Sequence, residues 1–135
     1  MPIERSIVPA AGLVQPSTPY SQILRVRCGE LAFISGQVAV DEKGVTVGDD
    51  IDSQMEHVFK NLRTALEAVG AGFEHIVRFG STVKSGQVEG YSAKRKEMFP
   101  SLYPDGDFPT NSIIIVQELP SPEWLVEIEA LVALP

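Results

Sequence analysis

Apolar residues recur along this chain with two different periods, and the changes of period divide it into elements. From Asp50 to Val69 the spacing is helical. Ile51, Met55, Val58, Leu62, Leu66 and Val69 stand three or four residues apart, so one face of a helix is apolar. Asp49, Asp50 and Asp52 favour the positive end of that helix, and Gly70 and Gly72 stop it. Upstream, Ile23 to Arg27 and Leu31 to Ser35 read as two strands separated by Gly29-Glu30, a two-residue hairpin signal. Glu42-Lys43-Gly44 reads as a turn. Ile76 to Lys84 is a further strand, closed by Ser85-Gly86. A second helix is predicted from about Val88 to Phe99, with Val88, Tyr91, Met98 and Leu102 inward and Lys94, Arg95 and Lys96 on a solvated face. Ile113 to Val116 and Trp124 to Ala133 are the last strands, joined through Leu119-Pro120-Ser121-Pro122. Pro9, Pro16 and Pro19 mark an irregular N-terminal loop, and Pro100, Pro104 and Pro109 mark another before the last strands.

The predicted order is strand, strand, strand, helix, strand, helix, strand, strand. That order fits an α+β layer: a mostly antiparallel or mixed sheet with both helices on one face. The layout leaves a deficit. Ile113-Ile114-Ile115-Val116 and Ala130-Leu131-Val132-Ala133-Leu134 are continuous apolar runs, which imply strands buried on both faces. Two helices cover only one. The simplest cover for the other is another copy of the chain, so a closed homo-oligomer is expected.

With 135 residues, the chain suits a single domain spanning 1–135 with a sizeable core. Apolar residues make up 44% and charged residues 21%, ordinary for a globular protein. The net charge of −7 disfavours a nucleic-acid partner, because phosphate recognition needs clustered Lys and Arg and Lys94-Arg95-Lys96 is the one dense basic run. No apolar stretch reaches the ~18 residues of a membrane-spanning helix, and Met1 to Arg5 does not read as a secretory signal. Cys28 stands alone, which precludes an intramolecular disulfide and fits a cytoplasmic location. It shares an apolar strand face with Val26 and reads as a packed thiol. His57 and His75 are the only histidines. No metal-type spacing of His, Cys, Asp and Glu is present, and Gly70-Ala71-Gly72 is a helix stop that neither follows a strand nor opens a nucleotide-binding helix. Neither a metal nor a cofactor is expected.

Several short pieces remain, in order: Pro19-Tyr20-Ser21-Gln22, Phe33-Ile34-Ser35-Gly36-Gln37, Gln54 with Asn61-Leu62, Phe108-Pro109 followed by Ser112, Leu119-Pro120, and Val126-Glu127-Ile128-Glu129-Ala130. Together they resemble the Rid family (RidA/YjgF/L-PSP), whose members include enamine and imine deaminases. The resemblance runs from about Pro16 to Ala133, nearly the whole chain. It implies a chorismate-mutase-like α+β fold assembled as a homotrimeric barrel, with small-molecule clefts between subunits. By that resemblance Tyr20 stands near the cleft mouth, Ser35 and Gly36 form a lining turn, the Ile113 backbone N–H contacts substrate, and Glu127 is the catalytic residue associated with water. Asn111 stands where the family carries a carboxylate-binding arginine. Charge-assisted hydrogen bonds of the arginine type are worth about 1.5–3 kcal/mol each. A neutral amide lacks them, so the ordinary 2-imino acid substrates are disfavoured.

Each of these residues also has a plainer reading. Asn111 can be a strand-start residue bonded to backbone, Tyr20 a packing aromatic, and Ser35 a turn residue. Either Glu127 or Glu129 can simply face water, since both lie on one strand face. Gln54 and Asn61, on one helix face, are expected to hydrogen-bond inside the fold. The functional expectation is a deaminase-like hydrolase acting on an imine, enamine or related compound. The alternatives are a non-catalytic ligand-binding trimer and, less favoured by charge, an endoribonuclease.

Overall fold

The computed structural model describes residues 2–135. In chain order the elements are β1 (Glu4–Ile7), β2 (Leu24–Arg27), β3 (Glu30–Gln37), α1 (Ile51–Ala68), β4 (Ile76–Lys84), α2 (Val88–Leu102), β5 (Thr110–Val116) and β6 (Val126–Leu134). The located elements are therefore observed in their predicted order, and the one strand before α1 to which the pattern assigned no residues is β1.

α1 forms where its periodicity placed it. Asp50 is the N-cap, and its carboxylate accepts the Ser53 N–H at 2.7 Å. Past the C-cap Val69 the chain turns off at Gly70, whose φ of +70° suits glycine, while Ala71 N–H donates back to the Leu66 carbonyl. Met55, Val58, Leu62 and Leu66 are buried as the spacing requires. Gln54 and Asn61 bond inside the fold as expected. Gln54 donates to the Gly48 and Glu123 carbonyls and accepts the Leu125 N–H, and Asn61 donates to the Val38 and Val40 carbonyls. α2 runs on to Leu102, beyond the predicted end, with Pro100 inside its last turn.

Four strands form one mixed sheet in the order β3-β6-β4-β5. β6 is antiparallel to β3 and β4; β4 and β5 are parallel, with α2 as the crossover between them. The expected hairpin of the second and third strands is not formed. β2 pairs instead with β1 in a separate two-stranded ribbon, and β3 pairs with β6. The β2–β3 turn is itself bonded to the end of β6: Gly29 N–H donates to the Leu134 carbonyl at 3.0 Å. Arg5 fastens the ribbon to the body, donating to the carbonyls of Glu74, Ile76 and Asp107.

Both helices lie on one sheet face, over Phe79, Val83, Val126, Ile128, Ala130 and Val132. Phe59, Phe73, Phe79, Phe99, Tyr103 and Phe108 form a chain of ring contacts with centroids 5.5–6.2 Å apart. Each fully buried ring of this size contributes on the order of 1.5–3 kcal/mol. On the opposite face the alternate residues of β3 point away from the helices, and Leu31 and Phe33 are 55% and 78% exposed.

Two expectations about burial need correction. The run Ile113–Val116, expected to lie under the helices on one face and under a second copy on the other, is not covered by the helices. β5 is an edge strand, and Ile113, Ile114 and Ile115 are all exposed. The central strand β6 buries Ala130, Val132 and Ala133 of its run, with Leu131 and Leu134 half-buried. Second, Lys94 and Arg95 are not solvated; they are 5% and 4% exposed. Lys94 Nζ reaches Glu56 on α1 at 2.8 Å and Glu97 at 3.2 Å, clamping the two helices. Arg95 reaches the N-terminal loop.

Candidate functional site

The β3–β6 ladder runs in register from Glu30↔Leu134 to Ile34↔Ala130 and then shifts, resuming at Gln37↔Ile128. The interruption is a bulge containing Ser35 and Gly36. Glu127 lies on β6 beside it, on the sheet face away from the helices, level with Thr82 of β4. Its carboxyl group lies over Gly36: a Cβ added there would meet Glu127 Cδ at 2.6 Å and Oε1 at 2.7 Å. The absence of a side chain at Gly36 is thus what makes room for the acid.

Glu129, two residues along the same face, leans the other way. It lies over Gly80 of β4 and pairs with Arg78 at 3.3 Å. Both partners are about half exposed, so the pair adds little stability. It does occupy Glu129. None of the hydrogen bonds or ion pairs among the described residues engages the Glu127 carboxylate, which is free to accept hydrogen bonds from water.

Tyr20 belongs to a loop seated on the segment just before β5. Ser21 is buried, donates from Oγ to the Phe108 carbonyl at 2.6 Å, and donates its N–H to the Pro109 carbonyl at 3.1 Å. Tyr20 is half-buried and lines a cavity of about 250 Å³ with Leu13, Pro16, Gln22 and Phe108.

Asn111 stands on β5 level with Phe79, and its side chain turns to the helix-covered side. Tyr91 on α2 donates its hydroxyl to Ser81 Oγ at 2.7 Å, and Ser81 donates to Asn111 Oδ1 at 3.0 Å. Asn111 Nδ2 closes the ring on the Tyr91 oxygen at 3.5 Å. The amide is therefore occupied by neighbours within its own chain. Ile113, exposed, stands two residues further on. Because β5 is an edge strand, alternate N–H groups along it point away from the ladder, the kind of donor that a backbone contact to a ligand needs.

Of the residues singled out in the sequence, one chain brings Glu127 and Gly36 into contact, with Ser35 in the same bulge. It brings Tyr20 close to Phe108 and Pro109. It does not bring Asn111 to Glu127. β4 separates β5 from β6, and the two side chains leave opposite faces of the sheet. Among the described residues no group of three or more His, Cys, Asp and Glu side chains is placed to hold a metal ion. Cys28, half-buried, lines an apolar groove with Val26 and Leu31.

Sequence reasoning missed Ser81, Tyr91 and Arg95 as neighbours of this region. Arg95 donates from Nη2 to the Pro19 carbonyl at 2.6 Å, with its Cζ 4.6 Å from the Phe99 ring centroid and 5.6 Å from that of Tyr91. Burial pushes the Arg95 pKa below its ordinary value. A signal was present: Tyr91, Arg95 and Phe99 are spaced by four, which places the arginine on the aromatic face of the helix.

Comparison with known proteins agrees with this fold. The family model described as Endoribonuclease L-PSP matches residues 12–134. A RutC family protein of Pyrococcus abyssi is 31% identical over 118 residues, covering 87% of this chain and 87% of the relative. The RutC family protein YjgH of Escherichia coli is 32% identical over 99 residues, covering 72% of this chain and 75% of the relative. Among solved structures, the Rid family protein YyfB of Yersinia pestis superposes with a TM-score of 0.85 at 31% identity, covering 96% of this chain and 98% of that one.

Proposed function

Since this chain belongs to the Rid family, the RutC and L-PSP group, we propose that it is a small-metabolite hydrolase of the deaminase type. Its substrate is an imine, an enamine or a related compound, held in clefts formed where identical copies meet. Water adds to the imine carbon, a C–O bond forms, the C–N bond breaks, and ammonia leaves. Glu127 holds and orients that water as general base. Tyr20, Ser35, Gly36, Asn111 and the Ile113 N–H line the cleft. No cofactor enters the reaction.

The observation that carries this reading is the Glu127 carboxylate, lying over the bare Gly36 on the sheet face that the helices leave open, with no hydrogen-bond or ion-pair partner among the described residues. Glu129, two residues along the same face, is by contrast paired with Arg78. The open face supports the assembly. Leu31, Phe33 and Ile114 are 55%, 78% and 62% exposed on one chain, and apolar surface of this kind is covered in a closed homotrimer. Because Asn111 and Glu127 leave opposite sheet faces, a cleft using both needs more than one copy.

The substrate class is argued from Asn111. Its Oδ1 is occupied by Ser81, and it carries no charge, so a substrate carboxylate finds no guanidinium there. A neutral imine amide suits it better than a 2-imino acid. Ammonia release should be followed from 2-iminopropanamide and from 2-iminopropanoate. The amide is expected to be the better substrate, and Glu127→Ala is expected to lower its turnover by about 10²–10⁴-fold with the oligomer intact. Turnover unaffected by Glu127→Ala would remove Glu127 from the reaction.

A second reading has its own observation. The closed Tyr91–Ser81–Asn111 ring resembles a structural network more than a substrate clamp, which favours a non-catalytic ligand-binding trimer. Saturable binding of the amide without ammonia release supports that reading. Endoribonuclease activity, in the name of the matching family model, sits poorly with a net charge of −7.

A further inference from the structure

A guanidinium buried without a carboxylate partner is unusual, because desolvating the charge is costly unless an opposite charge compensates. Lys94 and Arg95 are adjacent and equally buried, yet they are satisfied differently. Lys94 meets two carboxylates, Glu56 and Glu97. Arg95 meets one carbonyl, that of Pro19, and the faces of Tyr91 and Phe99. No ion pair among the described residues includes it. An apolar side chain of similar length would pack on Phe99 at lower cost. What only the guanidinium supplies is a short, charged, directional hydrogen bond to the loop.

That loop carries a candidate cleft residue directly after the bonded carbonyl. Pro19 immediately precedes Tyr20, and Ser21 is bonded to Phe108 and Pro109, just before Asn111. On the other side of Arg95, Tyr91 leads through Ser81 to Asn111. Two separate routes therefore run from the Tyr20 loop to Asn111, one through α2 and one through the Phe108–Pro109 backbone.

We infer that Arg95 is a positioning residue for the ligand cleft: its buried guanidinium fixes the Pro19–Tyr20 segment against α2 and so sets where Tyr20 stands relative to Asn111. This rests on the reading of Tyr20 as a cleft residue. Arg95 touches no ligand itself; it acts through the peptide it holds. Nη2 is committed to that peptide and the guanidinium lies by the aromatic rings, with no salt bridge among the described residues competing for it.

The test compares wild type, Arg95→Met and Arg95→Lys by amide hydrogen exchange of residues 16–22 and by the KM and kcat for 2-iminopropanamide. Arg95→Met is expected to speed exchange at the Ser21 amide by about tenfold or more. Amides of α1 and β6 should keep their protection. KM should rise with little change in kcat, Tyr20→Phe should reproduce the rise, and Arg95→Lys should restore part of both readouts. Ser21 exchange within about twofold of wild type in Arg95→Met overturns the inference. So does faster loop exchange with an unchanged KM, which makes the contact merely structural. If wild type neither turns over nor binds the amide, the cleft reading fails instead, and the positioning role falls with it. The exchange data still show whether Arg95 holds the loop.

Discussion

The two faces of the four-stranded sheet are built from alternate residues of the same strands, yet they are finished in opposite ways. On β6, Val126, Ile128, Ala130 and Val132 point under the helices and are buried, while Glu127 and Glu129 point to the other side. The covered face is closed within one chain by rings in contact. The open face carries a carboxylate unpartnered among the described residues, a bulge, two bare glycines and large apolar residues such as Phe33. The contrast teaches that the packed aromatic core lies on one face, whereas Glu127, proposed to act on water, stands on the other. Substitutions of the buried rings under the helices should unfold the chain, and those of Phe33 and Gly36 on the open face should change assembly or turnover while leaving the chain folded.

The sharpest break of that division is Phe99→Ala. Phe99 is fully buried and touches Phe59, Phe79, Tyr103 and Phe108. Its truncation is expected to cost about 3–5 kcal/mol in urea unfolding. A smaller cost would mean that the covered face is not the core. Next, Phe33→Asp on the open face should weaken self-association by about 2 kcal/mol or more per interface. Sedimentation should show single copies, and their secondary structure should match wild type. Unchanged assembly would show that this face is not where copies meet. The smallest effect is expected at Gly36→Ala. The added methyl displaces the flexible Glu127 carboxyl rather than backbone, so turnover of the neutral imine amide should fall about tenfold with the melting temperature nearly unchanged. A large loss of stability there would make Gly36 a fold residue rather than a site residue.

Much of the covered face was legible in the residue order. The spacing of Met55, Val58, Leu62 and Leu66 gave α1 its place and its buried side, and β4 begins and ends where the alternation did. The site was legible less evenly. Glu127 and Gly36 were found as members of separate motifs, and the register shift between Ile34 and Gln37 that brings them together is a property of two strands distant in sequence. Asn111 was recognised as a departure, but its engagement by Ser81 and Tyr91 was not visible, since those partners come from β4 and α2. Lys94 and Arg95 were misread as solvated because charge is a poor guide to burial once partners exist. Glu56 and the Pro19 carbonyl, far away in the chain, supply them.

By its sequence alone, this protein's α1 and β4, the order of the elements it located and the excess of apolar strand surface were determined, because periods of 3.6 and 2 residues are local properties of a backbone and its side chains. Only the tertiary structure decided that β2 joins β1 rather than β3, that β4 stands between the strands bearing Asn111 and Glu127, and that a buried arginine grips the Tyr20 loop. Those outcomes depend on which distant backbone edges and carbonyls compete for the same partners, and no local pattern of residues encodes the winner.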